Sequence, residues 1–523
     1  MHHPVETIIS LLVLTTVLAV VAKRVQVPYP IFLVLAGAGL AFVPGLPVVS
    51  LDPQLVFLFF LPPLLYAGGY FTSWRDFRAN LVSISLLAFG LVIATTTAVA
   101  AAVHAIVPGI PWPSAFVLGA IVSPPDAVAA SAIAQRLRLP RRLVTILEGE
   151  SLINDSTGLV LLKFATVAVV TGTFSLSKAA GNFVLVSVGG VAVGLAVGWL
   201  FAKVEKVFDD SVLAATASIL IAFLTYILAE RLQVSGVLAV VTAGLVQGRY
   251  VPEIWTAKIR VEGTAVWQTV IFVLNALVFV LIGLQLPAIV NGLTWPRRTV
   301  VDAVFATCAT MIGIRLVWMF PGAYLPRFLF PKLRAKNPYP SWQAVVIAGW
   351  TGMRGVVSLA AALSLPVVTA SGAPFPARDL IVFLAFTAIL ATLVLQGLTL
   401  PPLIRWLAVG EDKTGEREEQ HARLELAKAG VARLDALTEE RVLPAHQVHP
   451  VRQELVEKLR YLTSSEEKRT EKTSSSDMIR HLRHESLAAQ REQLLDLRNR
   501  EVIGDDVLHR IQHELDIEEM RLK

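Results

Sequence analysis

The chain has one cysteine, Cys308, in 523 residues. With no second thiol, an intrachain disulfide and a cysteine-rich metal site are both excluded. Cys308 lies inside an apolar run and reads as a small buried hydrophobe. Charge is scarce too: 16% of residues are Asp, Glu, Lys or Arg, against about 25% in soluble domains. No cationic stretch precedes the first apolar run, and Lys23 and Arg24 follow it instead. A cleaved leader carries its positive charges in front, so residues 5–22 read as a retained first helix.

Apolar sequence is abundant, at 54% of the chain, and it is concentrated before Gly410. From Glu411 to Lys523 charges of both signs dominate. The break predicts a membrane domain, 1–410, and a cytoplasmic helical tail, 411–523. Mixed charge in the tail gives no reason to expect nucleic acid as a partner. Leu and Val recur there at three- and four-residue spacing over Arg423–Leu437, Val451–Leu462, Met478–Arg498 and Asp505–Leu522, with a hinge at Ser474, Ser475 and Ser476. No catalytic, nucleotide-binding or DNA-binding motif appears. The tail reads as a solvated appendage, or as the seat of dimer contact or of an unidentified regulator.

Crossing a bilayer takes about 20 apolar residues as a helix, because lipid cannot satisfy free backbone groups. Runs bounded by Pro, Gly and charge give thirteen candidates: 5–22, 28–46, 54–71, 81–107, 113–134, 142–171, 181–204, 212–230, 234–249, 263–289, 299–321, 341–366 and 379–408. Odd-numbered loops between them hold 17 Lys and Arg, and even-numbered loops hold 5. The positive-inside rule then puts the N-terminus outside and the tail in the cytoplasm. An odd number of spans is required.

Ionisable groups inside spans cost about 2.5–3.5 kcal/mol each and mark function by default. Glu6, Asp302 and Glu148 read as loop-facing, and Lys163 as snorkelling. Asp126, Glu150, Asp155, Arg315 and Arg354 remain. Ser151 and Asp155 stand at i, i+4 on one helix face, so a carboxylate and a hydroxyl share a patch of hard oxygen donors. Hard oxygens suit alkali cations, not Zn or Cu. A carboxylate that can hold H⁺ or a cation, but not both, is the minimal chemistry of an exchanger.

Ser123-Pro124-Pro125-Asp126 removes two N–H donors in mid-span, so that helix must break. Gly352-Met353-Arg354-Gly355 predicts a second break, with Arg354 satisfying freed carbonyls. Broken helices at membrane depth line cavities and coordinate ions. Their placing, one span before the end of each half, predicts inverted repeats of spans 1–6 and 8–13. Arg315 needs an anionic partner, and Glu150 is preferred because pairing Asp155 would occupy the ion-binding group.

Four segments now carry a resemblance: Leu61-Pro62-Pro63-Leu64-Leu65-Tyr66, Ser123-Pro124-Pro125-Asp126-Ala127-Val128, Gly149 to Gly158, and Gly352-Met353-Arg354-Gly355 followed by Ser358-Leu359. In this order they resemble the monovalent cation:proton antiporter-1 family, the sodium/proton exchangers. The resemblance implies an all-α polytopic fold with two broken crossing helices, a homodimer in the inner membrane, and no cofactor. Na⁺ (or K⁺ or Li⁺) and H⁺ are the implied cargo, exchanged by alternating access.

The resemblance also implies that Asp155, helped by Ser151, carries the ion, that Asn154 bonds Asp126, that Glu150 and Arg315 pair, and that Arg354 serves the crossing. Asparagine at 154 resembles the electroneutral branch. Two departures bear on selectivity. Pro125 stands where many members have threonine, so Ser123, Thr157 or water must substitute. Tyr66-Ala67-Gly68 stands where some members carry an acid. Competing readings are a cation channel, a membrane sensor, and a proton-coupled solute transporter, the last lacking surplus cations beyond Arg315 and Arg354.

Overall fold

The computed structural model describes residues 4–408 other than 26, 44–52, 127, 129, 130, 132, 134–138, 174 and 337. In the tail it describes 414–439, 445–463, 482–483, 485–494, 496–497, 500 and 505–522. The proposed hinge at Ser474–Ser476, the loop residues Arg136 and Arg138, and the boundary around Gly410 lie outside these. The chain divides into two compact units, Met1–Asp412 and Lys413–Lys523.

The first unit is helical. In chain order its main helices are α1 (Pro4–Val25), α2 (Tyr29–Leu40), α3 (Leu61–Phe71), α4 (Val92–Ile106), α5 (Trp112–Val122), α6 (Arg141–Thr171), α7 (Leu176–Val204) and α8 (Ser211–Arg231). They continue as α9 (Gly236–Ile254), α10 (Ala257–Leu284), α11 (Arg297–Leu329), α12 (Trp342–Trp350), α13 (Val356–Leu363), α14 (Arg378–Ala391) and α15 (Gly397–Leu407). Among the described residues seven helices are long and apolar enough to cross a membrane, and Tyr29–Leu40, Val56–Phe71 and Trp112–Val122 are shorter apolar ones. Each apolar run read from the sequence contains helix among its described residues, with 113–134 interrupted at 123–126 and 341–366 at 351–355; the β structure among the described residues is one isolated bridge, Val368 to Pro374.

Local chemistry sets the helix ends. Asp210 accepts from the N–H groups of Val212 and Leu213, both at 2.9 Å, to start α8. Ser235 accepts from Leu238 N–H at 3.2 Å to start α9, and Ser341 from Ala344 N–H at 3.3 Å to start α12. Among the described residues, three π-helical segments interrupt the regular pattern: Val56–Phe60 before α3, Leu86–Leu91 before α4, and Thr392–Gln396 between α14 and α15. Such bulges cluster at functional sites.

Small residues let helices approach without side chains between them. A Cβ on Gly69 of α3 would sit 2.5 Å from the carbonyl oxygen of Val241 on α9. Packing gathers the apolar residues into two clusters. Helix α6 serves both, giving Leu143, Leu147 and Leu162 to one and Leu152 to the other. It is therefore the seam along which a polar site can sit between two apolar bodies.

The second unit contains α16 (Thr414–Glu439), α17 (Ala445–Thr463) and α18 (Asp505–Leu522). Helices α16 and α17 pack together, with Arg452 Nε donating to Asp435 Oδ1 at 2.6 Å. Leu487 and Leu494 bury against Leu508 and Leu515 of α18, and Arg491 pairs with Glu519 at 2.6 Å.

Candidate functional site

Helix α5 stops at Val122, and Ser123 to Asp126 are not helical. The cause is the Pro124-Pro125 pair, which supplies no N–H and clashes with preceding carbonyls. Helix α12 stops at Trp350, residues 351–355 run without helix, and α13 begins at Val356. The two breaks meet. Asp126 N–H donates to the Met353 carbonyl at 2.7 Å, tying one interrupted segment to the other. A Cβ on Gly355 would collide with the Asp126 carboxylate, so only glycine allows that approach.

Several of the freed carbonyls have side-chain donors, as burial demands. Arg354, 1% exposed, gives Nε to Val122 O at 2.8 Å, Nη2 to Ser123 O at 3.5 Å and Nη1 to Gly352 O. One guanidinium thus caps the C-terminal end of α5 and serves its own break, as a cation at a helix C-terminus should. Its backbone N–H donates to Thr392 Oγ1 at 3.1 Å, in a π-helical segment. Asp126 Oδ1 accepts from Val128 N–H at 2.8 Å.

Asn154 differs from the expectation. Its Nδ2 donates to the Pro125 carbonyl at 2.8 Å, not to the Asp126 carboxylate. Ser123 and Thr157 also turn away. Ser123 Oγ donates to Ala120 O at 3.2 Å and Thr157 Oγ1 to Ile153 O at 3.5 Å, and neither lines the cavity beside Asp155.

Arg315, 1% exposed, donates Nη1 to Glu150 Oε1 at 2.5 Å and Nη2 to Oε2 at 2.9 Å, a bidentate pair. Nη2 also reaches Ala348 O near the end of α12, at 3.3 Å. The ion pair therefore joins α6, α11 and α12 one turn from Asp155. Lys163 is solvent- or lipid-exposed.

Asp155 is 8% exposed and lines a cavity of about 540 Å³ together with Ser151, Asp126, Tyr29 and Asn275. Among the described residues its carboxylate has neither a hydrogen bond nor an ion pair. Glu148 lines the same cavity, which corrects its reading as a loop-facing residue. The signal was present: Glu148, Ser151, Leu152 and Asp155 fall at i, i+3, i+4 and i+7, one helix face. No group of three or more His, Cys, Asp or Glu among the described residues could hold a resident metal ion. What the cavity offers is a carboxylate, a hydroxyl and two further acids, able to bind a hard cation or a proton.

Interrupted helices that cross beside a buried carboxylate define the architecture of a secondary transporter. Comparison with known proteins agrees. Residues 9–406 match the family described as sodium/hydrogen exchanger, transmembrane. The chain belongs to that family, whose members exchange cations for protons and are transporters, not enzymes.

An uncharacterised Na⁺/H⁺ exchanger of Mycobacterium bovis is 35% identical, over 98% of this chain and 95% of its own. An uncharacterised Na⁺/H⁺ exchanger of Escherichia coli, YjcE, is 33% identical over 99% of each chain. A sodium, potassium, lithium and rubidium/H⁺ antiporter of Bacillus subtilis is 34% identical over 76% of this chain and 61% of its own. The solved structure of the sodium proton antiporter MjNhaP1 from Methanocaldococcus jannaschii shares the fold, with TM-score 0.62 at 19% identity over 76% of this chain and 96% of that one.

Proposed function

We propose that this chain is an antiporter exchanging a monovalent cation, Na⁺ first, for H⁺ by alternating access. Asp155 carries one or the other. Ser151 and water supply further oxygens to the cation, while Asn154, Asp126, Pro125, Ser123 and Thr157 shape the break beside it. Glu150 with Arg315, and Arg354 with the freed carbonyls, hold the surrounding helices. One observation carries the reading: Asp155 stands in a cavity at the helix crossing, and no cation among the described residues is paired to it. A carboxylate locked in a salt bridge could not swap its ligand. Both nearby arginines are engaged elsewhere, Arg315 by Glu150 and Arg354 by backbone.

The finer features follow from the same site. A single exchanging carboxylate gives one cation per proton, hence electroneutral transport. Thirteen crossings with inverted repeats 1–6 and 8–13 fit the two breaks, and 17 against 5 basic loop residues favour an outer N-terminus and a cytoplasmic tail. A homodimer in the inner membrane serving pH and sodium homeostasis is part of the reading. K⁺/H⁺ exchange is the second reading, favoured by proline at 125 and by the cation range in the name of the Bacillus subtilis relative.

The test is dequenching of a trapped pH dye in proteoliposomes, scanned over Na⁺, K⁺, Li⁺ and Rb⁺. Na⁺ should give the fastest signal, at a rate indifferent to an imposed membrane potential. Cation currents without proton movement would make the protein a channel and end the proposal.

A further inference from the structure

A second chamber opens where α6 begins, α11 ends and α12 begins, beside loops rich in Lys and Arg. It measures about 270 Å³, near the lower bound of ligand pockets. Leu87, Leu143, Met319 and Val345 make its walls mainly apolar. Arg142 and Arg327 line it too, and no carboxylate among the described residues does. Arg142 gives Nε to Asn80 Oδ1 at 3.1 Å and Nη1 to Pro338 O at 3.3 Å, while its buried Nη2 has no partner among the described residues. Arg327 is 3% exposed and gives Nη1 to Ala323 O. The two guanidiniums repel each other.

An unsatisfied guanidinium N–H, a second positive charge and an apolar chamber together describe a site for an anion with a hydrocarbon attached. We infer that the chamber holds an anionic phospholipid, its phosphate between Arg142 and Arg327 and the start of one acyl chain along Leu87, Met319 and Val345. The volume equals roughly nine waters, enough for the first part of a chain and not for all of it. Basic pockets between membrane helices on the cytoplasmic side recognise lipid head groups by this chemistry. The inference rests on the cytoplasmic orientation of this end proposed above. The lipid would also touch Ala348, whose carbonyl accepts from Arg315 at 3.3 Å and from the Thr351 hydroxyl at 2.9 Å. A bound lipid therefore braces the half-helix that leads to the ion site.

Native mass spectrometry of the full chain in detergent reads binding separately from exchange, so either can fail alone. With phosphatidylglycerol and phosphatidylcholine supplied equally, the protein should retain phosphatidylglycerol preferentially. Arg142→Gln should weaken that preference about fivefold, the effect of one basic residue, and Arg142→Lys should keep it. Ala344→Trp, which fills the chamber and leaves both arginines, should lose the retained lipid. Equal retention of the two lipids, or unchanged retention in both Arg142→Gln and Ala344→Trp, would overturn the inference. So would glycerol 3-phosphate competing as well as the whole lipid, because the acyl chain would then contribute nothing.

Discussion

Arg315→Met strands a carboxylate. Glu150, 1% exposed, would lose contacts of 2.5 and 2.9 Å and gain none. Ala348 O would lose its 3.3 Å contact but keep the Thr351 hydroxyl at 2.9 Å, so that loss adds little. Removing one partner of a buried pair costs about 3–5 kcal/mol, because the other charge stays buried and unpaired. Glu150→Gln leaves Arg315 in the same position and should cost a similar amount. The double variant Glu150→Gln/Arg315→Met removes both charges. It should fall within about 1–2 kcal/mol of the parent, since replacing a whole buried pair by neutral groups is often close to neutral. Unfolding in mixed micelles gives the four stabilities of the cycle. Additive losses, with the double variant less stable than either single one, would refute the reasoning.

Gly355→Ala drives a methyl group into the Asp126 carboxylate where the two breaks meet. The expected outcome is at least a tenfold fall in exchange rate in the proteoliposome dye assay, about 1.4 kcal/mol or more; full activity would mean the crossing is not rigid. In the tail, the hydrogen bond from Arg452, reinforced by its charge, holds the Asp435 carboxyl below the usual carboxylate range. A lowered folded-state pKa stabilises above the unfolded value of about 3.9 and is lost as pH falls through the folded one. Arg452→Gln should therefore speed amide exchange over residues 414–463 at pH 7 and do so less near pH 3, as the contribution is lost on the way down through the folded-state value. The effect is small and shrinks in salt, because both side chains are more than 40% exposed. Equal effects at both pH values would contradict it.

Much of the helical pattern was legible because its signals are local. Double proline at 124 and 125 cannot continue a helix, and an arginine between glycines at 352 and 355 has no reason to sit in lipid. Scarcity of charge helped as well: with so few ionisable groups in the spans, Arg315 had few candidate partners. Asn154 was harder, because its acceptor is the backbone oxygen of Pro125, and which carbonyl a break leaves bare depends on how the chain turns. Ser123 and Thr157 offered oxygens by composition, yet both hydroxyls close on their own helix, which spacing alone does not reveal. The role of Glu148 at the cavity wall was visible in its i+7 relation to Asp155 and obscured by its nearness to the span end. The π-helical segments, with Thr392 beneath Arg354, carry no comparable sequence signal.

The central claim is that one carboxylate trades a proton for a metal ion. Asp155→Asn keeps the size and polarity of the side chain and removes both the charge and the titrating proton. Reconstituted beside the parent and matched for amount and melting behaviour, it should give no cation-dependent dye response at any pH or with any alkali cation. A cation-dependent proton flux surviving in that variant would contradict the account.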